Sequence, residues 1–173
     1  PALKQQFPLI EDALRAAGFT VWAMVEVEAD DALAAAADVA AADDRVERAI
    51  ICTPDKDLGQ CVTEDGKVVQ LDRRKGIFYD YAAVTEKFGV SPPSIPDYLG
   101  LVGDTADGIP GIAGWGAKGT AAVLSRYPHY EDIPRAPGQW DVPVRGAAKL
   151  ARALFDNYDD ALLYRRLATV ERD

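Results

Sequence analysis

The fold is decided by the stretch Ala49–Asp57, which reads AIICTPDKD. It opens with a short apolar run that ends in a polar turn. Such a run is typical of a buried parallel strand, which has helices over both faces. Two carboxylates, Asp55 and Asp57, follow directly, and ligand sites in open α/β sheets lie at this end of the strands. The stretch therefore predicts an α/β fold together with a candidate site.

The segments on either side of this strand favour an α/β layer structure. Apolar residues recur every three or four positions over Leu3–Ala17, which predicts an amphipathic helix closed by Gly18. Thr20–Val27 is predicted to be a strand. The alanine-rich Ala29–Ala42 is predicted to be a helix that packs closely against the sheet. Two further short strands are predicted over residues 68–71 and 76–79, around a turn at 72–75.

The pattern becomes helical after residue 80. Gly and Pro turns separate the predicted helices, which cover residues 81–88, 95–102, 118–127, 144–155 and 159–170. We therefore expect an α/β part over residues 1–80 and an all-helical part over residues 81–173. The longest irregular stretch, Pro128–Pro143, is predicted to be a surface connection, and His129 within it an ordinary surface histidine.

Composition narrows the classes of function. The 173 residues suffice for one compact domain, and 49% apolar with 27% charged residues fits an ordinary globular protein. No stretch reaches the roughly 18 unbroken apolar residues of a membrane helix, and no signal peptide is visible. Cys52 and Cys61 could form a disulfide, but nothing else indicates an oxidising compartment, so a reducing cytoplasm is expected.

The net charge, 19 − 28 = −9, taken alone argues against a nucleic-acid partner, but the location of the acids changes this interpretation. They form three clusters beside apolar runs: Glu28–Asp31, Asp55–Asp57 and Asp104–Asp107. Spacings of two or three residues let the carboxylates of each cluster face one way. Carboxylates this close repel one another unless a cation lies among them. A site built for a divalent metal is acidic even when its substrate is an anion.

Each cluster also has an ordinary structural explanation. The first and third could be helix caps, because acids complement the helix dipole, and the second could be a solvated turn. Three acidic pairs, two of them at strand ends, favour one shared metal site over three separate structural features. Hard oxygen ligands suit Mg²⁺ or Mn²⁺ rather than zinc, and two such ions are the apparatus of phosphodiester hydrolysis. We expect these ions near Asp31, Asp55, Asp104 and Asp107.

A glycine-rich loop, Gly111–Lys118 (GIAGWGAK), follows the third cluster and precedes a predicted helix. Its glycines let the backbone approach a phosphate, and the helix N-terminus offers free N–H groups to an anion. Lys118 adds a positive charge, and we expect a positive φ at Gly116. Alone the pattern also fits a tight structural turn. Beside a carboxylate cluster it predicts a clamp for backbone phosphates.

Taken together and in this order, the motifs resemble those of the 5′-nuclease superfamily. They are residues 28–31 (EADD), 53–60 (TPDKDLGQ) and 103–111 (GDTADGIPG), and residues 111–118 match the family's helix–three-turn–helix. The family includes flap endonucleases, phage 5′-exonucleases and the 5′-nuclease domain of bacterial DNA polymerase I. The form GWGAK looks most like the stand-alone bacterial 5′-3′ exonucleases.

The resemblance implies a PIN-like α/β domain with a parallel sheet, then a helix–three-turn–helix over about residues 95–127. It implies hydrolysis of 5′ flaps and 5′ ends of branched or nicked DNA in replication and repair, by a monomer acting on the bacterial nucleoid in the cytoplasm. Metal-ligand roles, direct or through water, are implied for Glu28, Asp30, Asp31, Asp55, Asp57, Asp104 and Asp107. Catalytic roles fall on Asp31, Asp55, Asp57 and Asp104. DNA contacts fall on Gly111, Gly114, Gly116 and Lys118, with a potassium ion held by loop carbonyls.

The sequence also departs from the family pattern. Gly108 stands where many members have Asn, and Trp115 where a small apolar residue is frequent. The family's first strand, with its Asp, and its basic arch do not precede Pro1, so we expect a fragment, and their absence helps to explain the charge of −9. The alternatives are the nuclease domain of DNA polymerase I, a DNA-binding module that no longer cleaves, and a PIN-type ribonuclease. The duplex clamp argues against the last, because A-form RNA presents a different backbone.

Overall fold

The computed structural model describes residues 3–172 of the chain. One sheet carries the strands β1 (Ala49–Ile51), β2 (Val68–Asp72) and β3 (Ile77–Tyr79), in the order β1-β2-β3. β1 pairs with β2 in parallel, with Ala49 opposite Val68, and β2 pairs with β3 antiparallel, with Gln70 opposite Tyr79. The predicted α/β layer is confirmed, and the sheet is mixed because β2 and β3 form a hairpin.

The helices follow the predicted order. In the described part of the chain, two precede the first strand of the sheet and five follow its last strand: α1 (Phe7–Ala16), α2 (Ala29–Ala42), α3 (Tyr81–Phe88), α4 (Ile95–Val102), α5 (Ala117–Leu124), α6 (Ala147–Asp156) and α7 (Tyr158–Ala168). Short 3₁₀ turns cover residues 4–6, 57–61, 92–94, 130–132 and 137–139. The helices α3 and α4 have the predicted bounds, and the later helices begin or end a few residues away.

The alanine-rich helix α2 packs on the sheet as predicted. Ala34 and Ala37 are buried. They belong to one apolar cluster with Ile51 of β1, Val68 of β2 and Leu58 of the 3₁₀ turn at 57–61. Because their side chains are short, the helix backbone lies close to the strands, and the apolar face of the helix packs on the sheet without large voids. This contact fixes the start of α2, where the first acidic cluster lies, relative to the end of β1.

The prediction of a strand over Thr20–Val27 is wrong. Within residues 3–172, none of the strands pairs with this segment. Trp22 is 58% exposed and Val25 is 92% exposed. Aromatic and β-branched residues favour a strand where they pack against neighbouring strands, and the described residues supply no such neighbour here. Helix α1 forms as predicted, although none of its residues is buried.

The expectation of helices over both faces of β1 is also wrong for the described residues. Ile51 is buried under α2, whereas Ile50 points to the opposite face and is 46% exposed.

The two cysteines do not form a disulfide. Cys52 is exposed and Cys61 is buried, and both are free cysteines. Burial raises the pKa of the Cys61 thiol to about 11, which keeps it protonated and inert.

The helical part is organised around α4, which packs against α5 and α7. Gly100 makes the approach to α7 possible. A Cβ atom at this position would lie 2.5 Å from the Tyr130 hydroxyl and 2.9 Å from the Arg165 backbone nitrogen. Any larger residue would therefore push α7 away from α4.

The buried Asp97 of α4 anchors the connection after α5. It accepts hydrogen bonds from the Tyr130 backbone (3.2 Å), the Arg165 guanidinium (3.0 Å) and His129 Nδ1 (3.0 Å). Burial raises the pKa of Asp97, although His129 and Arg165 oppose this shift. The Arg165 guanidinium also donates one hydrogen bond to each carboxylate oxygen of Glu131, and these bonds lower the pKa of that carboxyl to about 2. His129 is therefore more than the surface residue that was predicted, since its ring bonds to a buried acid.

A second buried polar side chain, Gln60, ties the residues after α7 to the α/β part. Its amide nitrogen donates to the Ala168 carbonyl (3.0 Å), and its carbonyl oxygen accepts from the Val170 N–H (3.2 Å). Arg172 continues the contact by pairing with Asp38 of α2 at 3.0 Å. Residues 168–171 consequently form one wall of the cleft that the acidic residues line.

Candidate metal centre and glycine-rich loop

The turn after β1 is built by short-range hydrogen bonds and one buried glutamine. Thr53 Oγ1 accepts from the Asp55 N–H (3.1 Å), and Asp55 Oδ1 accepts from the Asp57 N–H (3.0 Å). Gln70 of β2 is 2% exposed, and its amide donates to the Thr53 carbonyl at 3.0 Å and to the Asp55 carbonyl. The turn is thus fastened to the neighbouring strand. Sequence analysis missed Gln70, although a polar residue inside an apolar strand was a usable signal.

The third acidic cluster is held in a small hairpin. Asp104 and Ile109 exchange two backbone hydrogen bonds, of 2.8 and 2.7 Å. Asp104 Oδ1 also accepts from the Ala106 N–H at 3.1 Å. Gly108 closes the turn with a φ of +73°, a value that glycine adopts without strain. The second oxygen of Asp104, Oδ2, faces the turn after β1, where it contacts the Lys56 ammonium.

The second and third clusters meet in space. Asp57, Asp104 and Asp107 each bring a carboxylate oxygen to within 4.8 Å of the others. Asp57 Oδ1 and Asp104 Oδ2 are buried, and neither receives a hydrogen bond from another group in residues 3–172 apart from the ammonium of Lys56. Two buried carboxylate oxygens that share a single donor are costly, and a hard divalent cation is a partner that fits them.

Lys56 lies between these carboxylates. Its ammonium is 3.3 Å from Asp57 Oδ1 and contacts Asp104 Oδ2. Burial raises the pKa of Asp57 to about 6, and Lys56 opposes this shift. Burial acts on Asp104 in the same direction, but the hydrogen bonds from Lys56 and the Ala106 N–H outweigh it and lower the pKa of that carboxyl. Lys56 lies in the motif of residues 53–60, but the spacing of the acids alone predicts no role for it.

The first cluster faces the other two across a cleft of about 680 Å³. Burial raises the pKa of Asp30, and the charges of Asp55, Glu28, Asp31 and Asp107 raise it further, in that order. Such mutual influence requires the three clusters to be neighbours. The acids that line this cleft are Glu28, Asp30, Asp31, Asp55, Asp57, Asp107 and Glu171.

Asp31 has a structural role in addition to its place in this cleft. Its carboxylate accepts from the Glu28 N–H (2.9 Å), and the Glu28 side chain accepts in return from the Asp31 backbone, so the two form a capping box. The other oxygen of Asp31 accepts from the Glu171 N–H at 2.8 Å. The helix-cap explanation therefore applies to Asp31, and its role as a metal ligand stays a prediction.

In the glycine-rich loop the glycines differ from one another. Gly111 has a φ of +73°, and a Cβ there would lie 2.6 Å from the Gly103 nitrogen and 2.7 Å from the Leu101 carbonyl oxygen. Gly114 has a φ of +90°. Gly116 has a φ of −101°, so the positive φ expected there is wrong, and a Cβ would meet nothing within 4 Å. The extended conformation follows because Gly116 is the N-cap of α5, a position that adopts β-region angles.

The loop leads into the N-terminus of α5, where N–H groups can bind an anion. No side chain caps the N-terminus of α5, and Lys118, in its first turn, is exposed. Trp115 points the other way and is 3% exposed; its indole N–H donates to the Leu150 carbonyl (3.0 Å) and its ring contacts Trp140. Trp115, which stands where a small apolar residue is frequent in the family, thus anchors the loop to α6.

The fold and the site together define the class of protein, an α/β layer with a carboxylate cleft at its strand ends, followed by a helical domain. Residues 1–89 match the 5′-3′ exonuclease, N-terminal resolvase-like domain, and residues 90–173 match the 5′-3′ exonuclease, C-terminal SAM fold. The chain belongs to the 5′-3′ exonuclease family. The predicted division at residue 80 stays a prediction.

Two curated relatives and one solved structure illustrate the likeness. DNA polymerase I of Pseudomonas aeruginosa is 35% identical over 176 residues, covering 99% of this chain and 18% of that protein. A 5′-3′ exonuclease of Aquifex aeolicus is 38% identical over 131 residues, covering 76% of this chain and 44% of that protein. The solved structure is that of the bacteriophage T5 flap endonuclease in a pseudo-enzyme–product complex with DNA and metal ions. It shares the fold, with a TM-score of 0.73 and 21% sequence identity. The match covers 98% of this chain and 60% of that one.

The chain thus spans less than half the length of both curated relatives. Within residues 3–172, none of the helices combines the length and the apolar character that crossing a membrane would require.

Proposed function

We propose that this chain carries the site of a structure-selective 5′ nuclease, which hydrolyses phosphodiester bonds at 5′ flaps and 5′ ends of branched or nicked DNA with two divalent metal ions. The observation that carries the proposal is the pair of buried oxygens, Asp57 Oδ1 and Asp104 Oδ2, which converge with Asp107. Within residues 3–172 the Lys56 ammonium is their one donor. The names of the relatives support it, since they are exonucleases, DNA polymerases I and flap endonucleases.

The acidic cleft is the metal site in this proposal. Asp57, Asp104 and Asp107 would hold one ion directly. A second ion would lie toward Asp55 and Asp31, and the remaining acids of the first cluster, Glu28 and Asp30, would act directly or through water. When bound, Mg²⁺ or Mn²⁺ lowers the pKa of the attacking water and stabilises the leaving oxygen. The chain's own task is to fix these carboxylates, through the Gln70 anchor, the capping box and the Asp104 hairpin.

The glycine-rich loop is the DNA contact in this proposal. The free N–H groups of α5 and the exposed Lys118 would bind consecutive phosphates of a duplex, and Gly114 and Gly116 leave room for the backbone to approach. A potassium ion between loop carbonyls and a phosphate would complete the grip. We further propose that the protein acts as a monomer on the bacterial nucleoid in the cytoplasm, because its relatives process bacterial DNA.

Three other functions share parts of this site. The nuclease region of a DNA polymerase I is favoured by the 35% identity to such an enzyme and has the same site chemistry. A DNA-binding module without cleavage would retain the loop and fail to use the cleft. A PIN-type ribonuclease would cut RNA in preference to flap DNA.

Metal binding is expected to be measurable on the chain itself. Titration with Mn²⁺, followed by isothermal calorimetry, should give saturable binding that is weakened strongly in Asp57→Asn and Asp104→Asn. Each substitution preserves the shape of the side chain and removes one ligand charge from the site. Asp44→Asn, an exposed acid that lies outside the cleft, is the matched control and should bind like the wild type.

Anomalous scattering from crystals soaked in Mn²⁺ would locate the ions. Peaks within coordinating distance of Asp57 and Asp104 are expected. The proposed metal site fails if the wild-type chain shows neither saturable binding nor a peak in the cleft.

The loop is tested by Gly116→Val. We expect this variant to bind nicked duplex DNA at least about tenfold more weakly, because the valine would stand where a phosphate approaches an α5 N–H. Its stability should stay close to that of the wild type, since φ is already compatible with a side chain and the space is open. Lys118→Ala should have a smaller effect and reduce the salt dependence of binding by about one phosphate contact.

Both variants are measured by fluorescence anisotropy at several salt concentrations, with thermal midpoints as a check on folding. A folded Gly116→Val chain with unchanged DNA affinity would refute the clamp. An unchanged salt slope in Lys118→Ala would remove Lys118 from the contacts.

A further inference from the structure

Lys56 is the one cation among the carboxylates of the second and third clusters in residues 3–172, and the proposed mechanism assigns it no task. Its ammonium lies 3.3 Å from Asp57 Oδ1 and also contacts Asp104 Oδ2. Within residues 3–172, these are the two buried carboxylate oxygens that receive no other hydrogen bond. The lysine therefore occupies the place where the two acids need positive charge.

The same two oxygens cannot serve the ammonium and a divalent ion at once. Mg²⁺ binds carboxylate oxygens at about 2.0–2.1 Å, and an ion bonded to both oxygens would lie in contact with the Lys56 ammonium. Two cations at that separation in a partly buried site repel strongly. One of them has to leave.

The Lys56 side chain can move its charge away from the two carboxylates. Its side chain is 37% exposed, so a route to solvent is open. Its backbone begins the 3₁₀ turn over residues 57–61, which is fixed by packing, while the four-carbon stem can swing the charge away without any backbone change.

We infer that Lys56 is the resident counter-cation of this site, which neutralises Asp57 and Asp104 in the metal-free chain and is displaced when a divalent ion binds them. The inference rests on the proposed metal site. It assigns Lys56 a positioning role with two consequences. The acids stay in place before metal arrives, and the metal binds more weakly than these carboxylates alone would bind it, because each binding event has to break the lysine contacts.

The test uses the whole chain and Mn²⁺ as the probe. Lys56→Met keeps the length and apolar stem of the side chain and removes its charge. We expect it to bind Mn²⁺ at least about tenfold more tightly than the wild type, the equivalent of one charge-assisted hydrogen bond. In the absence of metal its thermal midpoint should be lower than that of the wild type, because two buried carboxylates lose their cation. Saturating Mn²⁺ should remove that difference.

Lys149→Met is the matched control, since Lys149 is an exposed lysine of α6 outside the cleft, and both readouts should stay at wild-type values. Lys56→Gln repeats the measurement if the methionine variant does not fold. Equal or weaker Mn²⁺ affinity in the folded neutral variants would overturn the role of Lys56 while leaving the metal site intact. Absence of Mn²⁺ binding in every chain, wild type included, would overturn the proposed metal site and this inference with it.

Discussion

Replacing Asp104 by alanine is expected to lower the single-turnover rate of 5′-flap cleavage by at least about a thousandfold. Asp104 brings a buried oxygen to the proposed metal site, and no other residue in the described part of the chain can take its place. The fold should survive, because the hairpin to Ile109 is held by two backbone hydrogen bonds. Asp57→Ala is expected to have an effect of the same order.

The same variants should bind nicked DNA with an affinity close to that of the wild type, since the glycine-rich loop lies outside the acidic cleft. Cleavage is measured on a fluorescent 5′-flap substrate with Mg²⁺ or Mn²⁺, and binding by anisotropy without turnover. Asp44→Ala controls for the loss of one negative charge. Cleavage by both site variants within tenfold of the wild type would show that the catalytic roles are misassigned.

Replacing Gly111 by valine is expected to lower the free energy of unfolding by about 3 kcal/mol or to prevent folding. The φ of +73° penalises any β-branched residue, and the new Cβ would overlap the backbone of Gly103 and Leu101 at 2.6–2.7 Å. Backbone atoms at the end of α4 cannot move aside without opening the junction to the loop. Urea denaturation of this variant gives the measurement.

Gly116→Val is the internal comparison for this prediction. The two glycines lie in one loop and receive the same side chain, yet only Gly111 has the strained φ and the close backbone neighbours. We expect the free energy of unfolding of the Gly116 variant to fall by no more than about 1 kcal/mol, because valine is a poorer N-cap than glycine. Equal stabilities of the two variants would contradict the assigned difference between structural and contact glycines.

Much of the fold could be predicted because the pattern is local. The apolar spacing over 81–88 and 95–102 gave helix bounds that the structure reproduces. The alanines of α2 indicated close packing on the sheet. The error at Thr20–Val27 has a physical origin, because a strand is defined by a partner and the sequence of one segment does not contain its partner.

The site was predictable to the level of residue types. The spacing of the three acidic clusters placed them at one cleft, and the structure brings them together there. Their exact uses were not encoded in the spacing. One oxygen of Asp31 accepts the capping bond and the other accepts from the Glu171 N–H, while Oδ2 of Asp104 contacts Lys56. The contacts with Glu171 and Lys56 arise only in three dimensions. Likewise, the sequence could not separate the negative φ of Gly116 from the positive φ of Gly111 and Gly114.

The wall formed by residues 168–171 links the acidic cleft to the order in which the chain can fold. Gln60 bonds to Ala168 across 108 positions, and Asp31 bonds to Glu171 across 140. Contacts between such distant positions carry a large loop-closure entropy and form late. A nascent chain would have its acidic motifs synthesised early and would still lack the enclosed cleft until α7 had docked. Amide exchange at Val170 and Glu171 should accordingly report the opening of the site before the α4–α7 core unfolds.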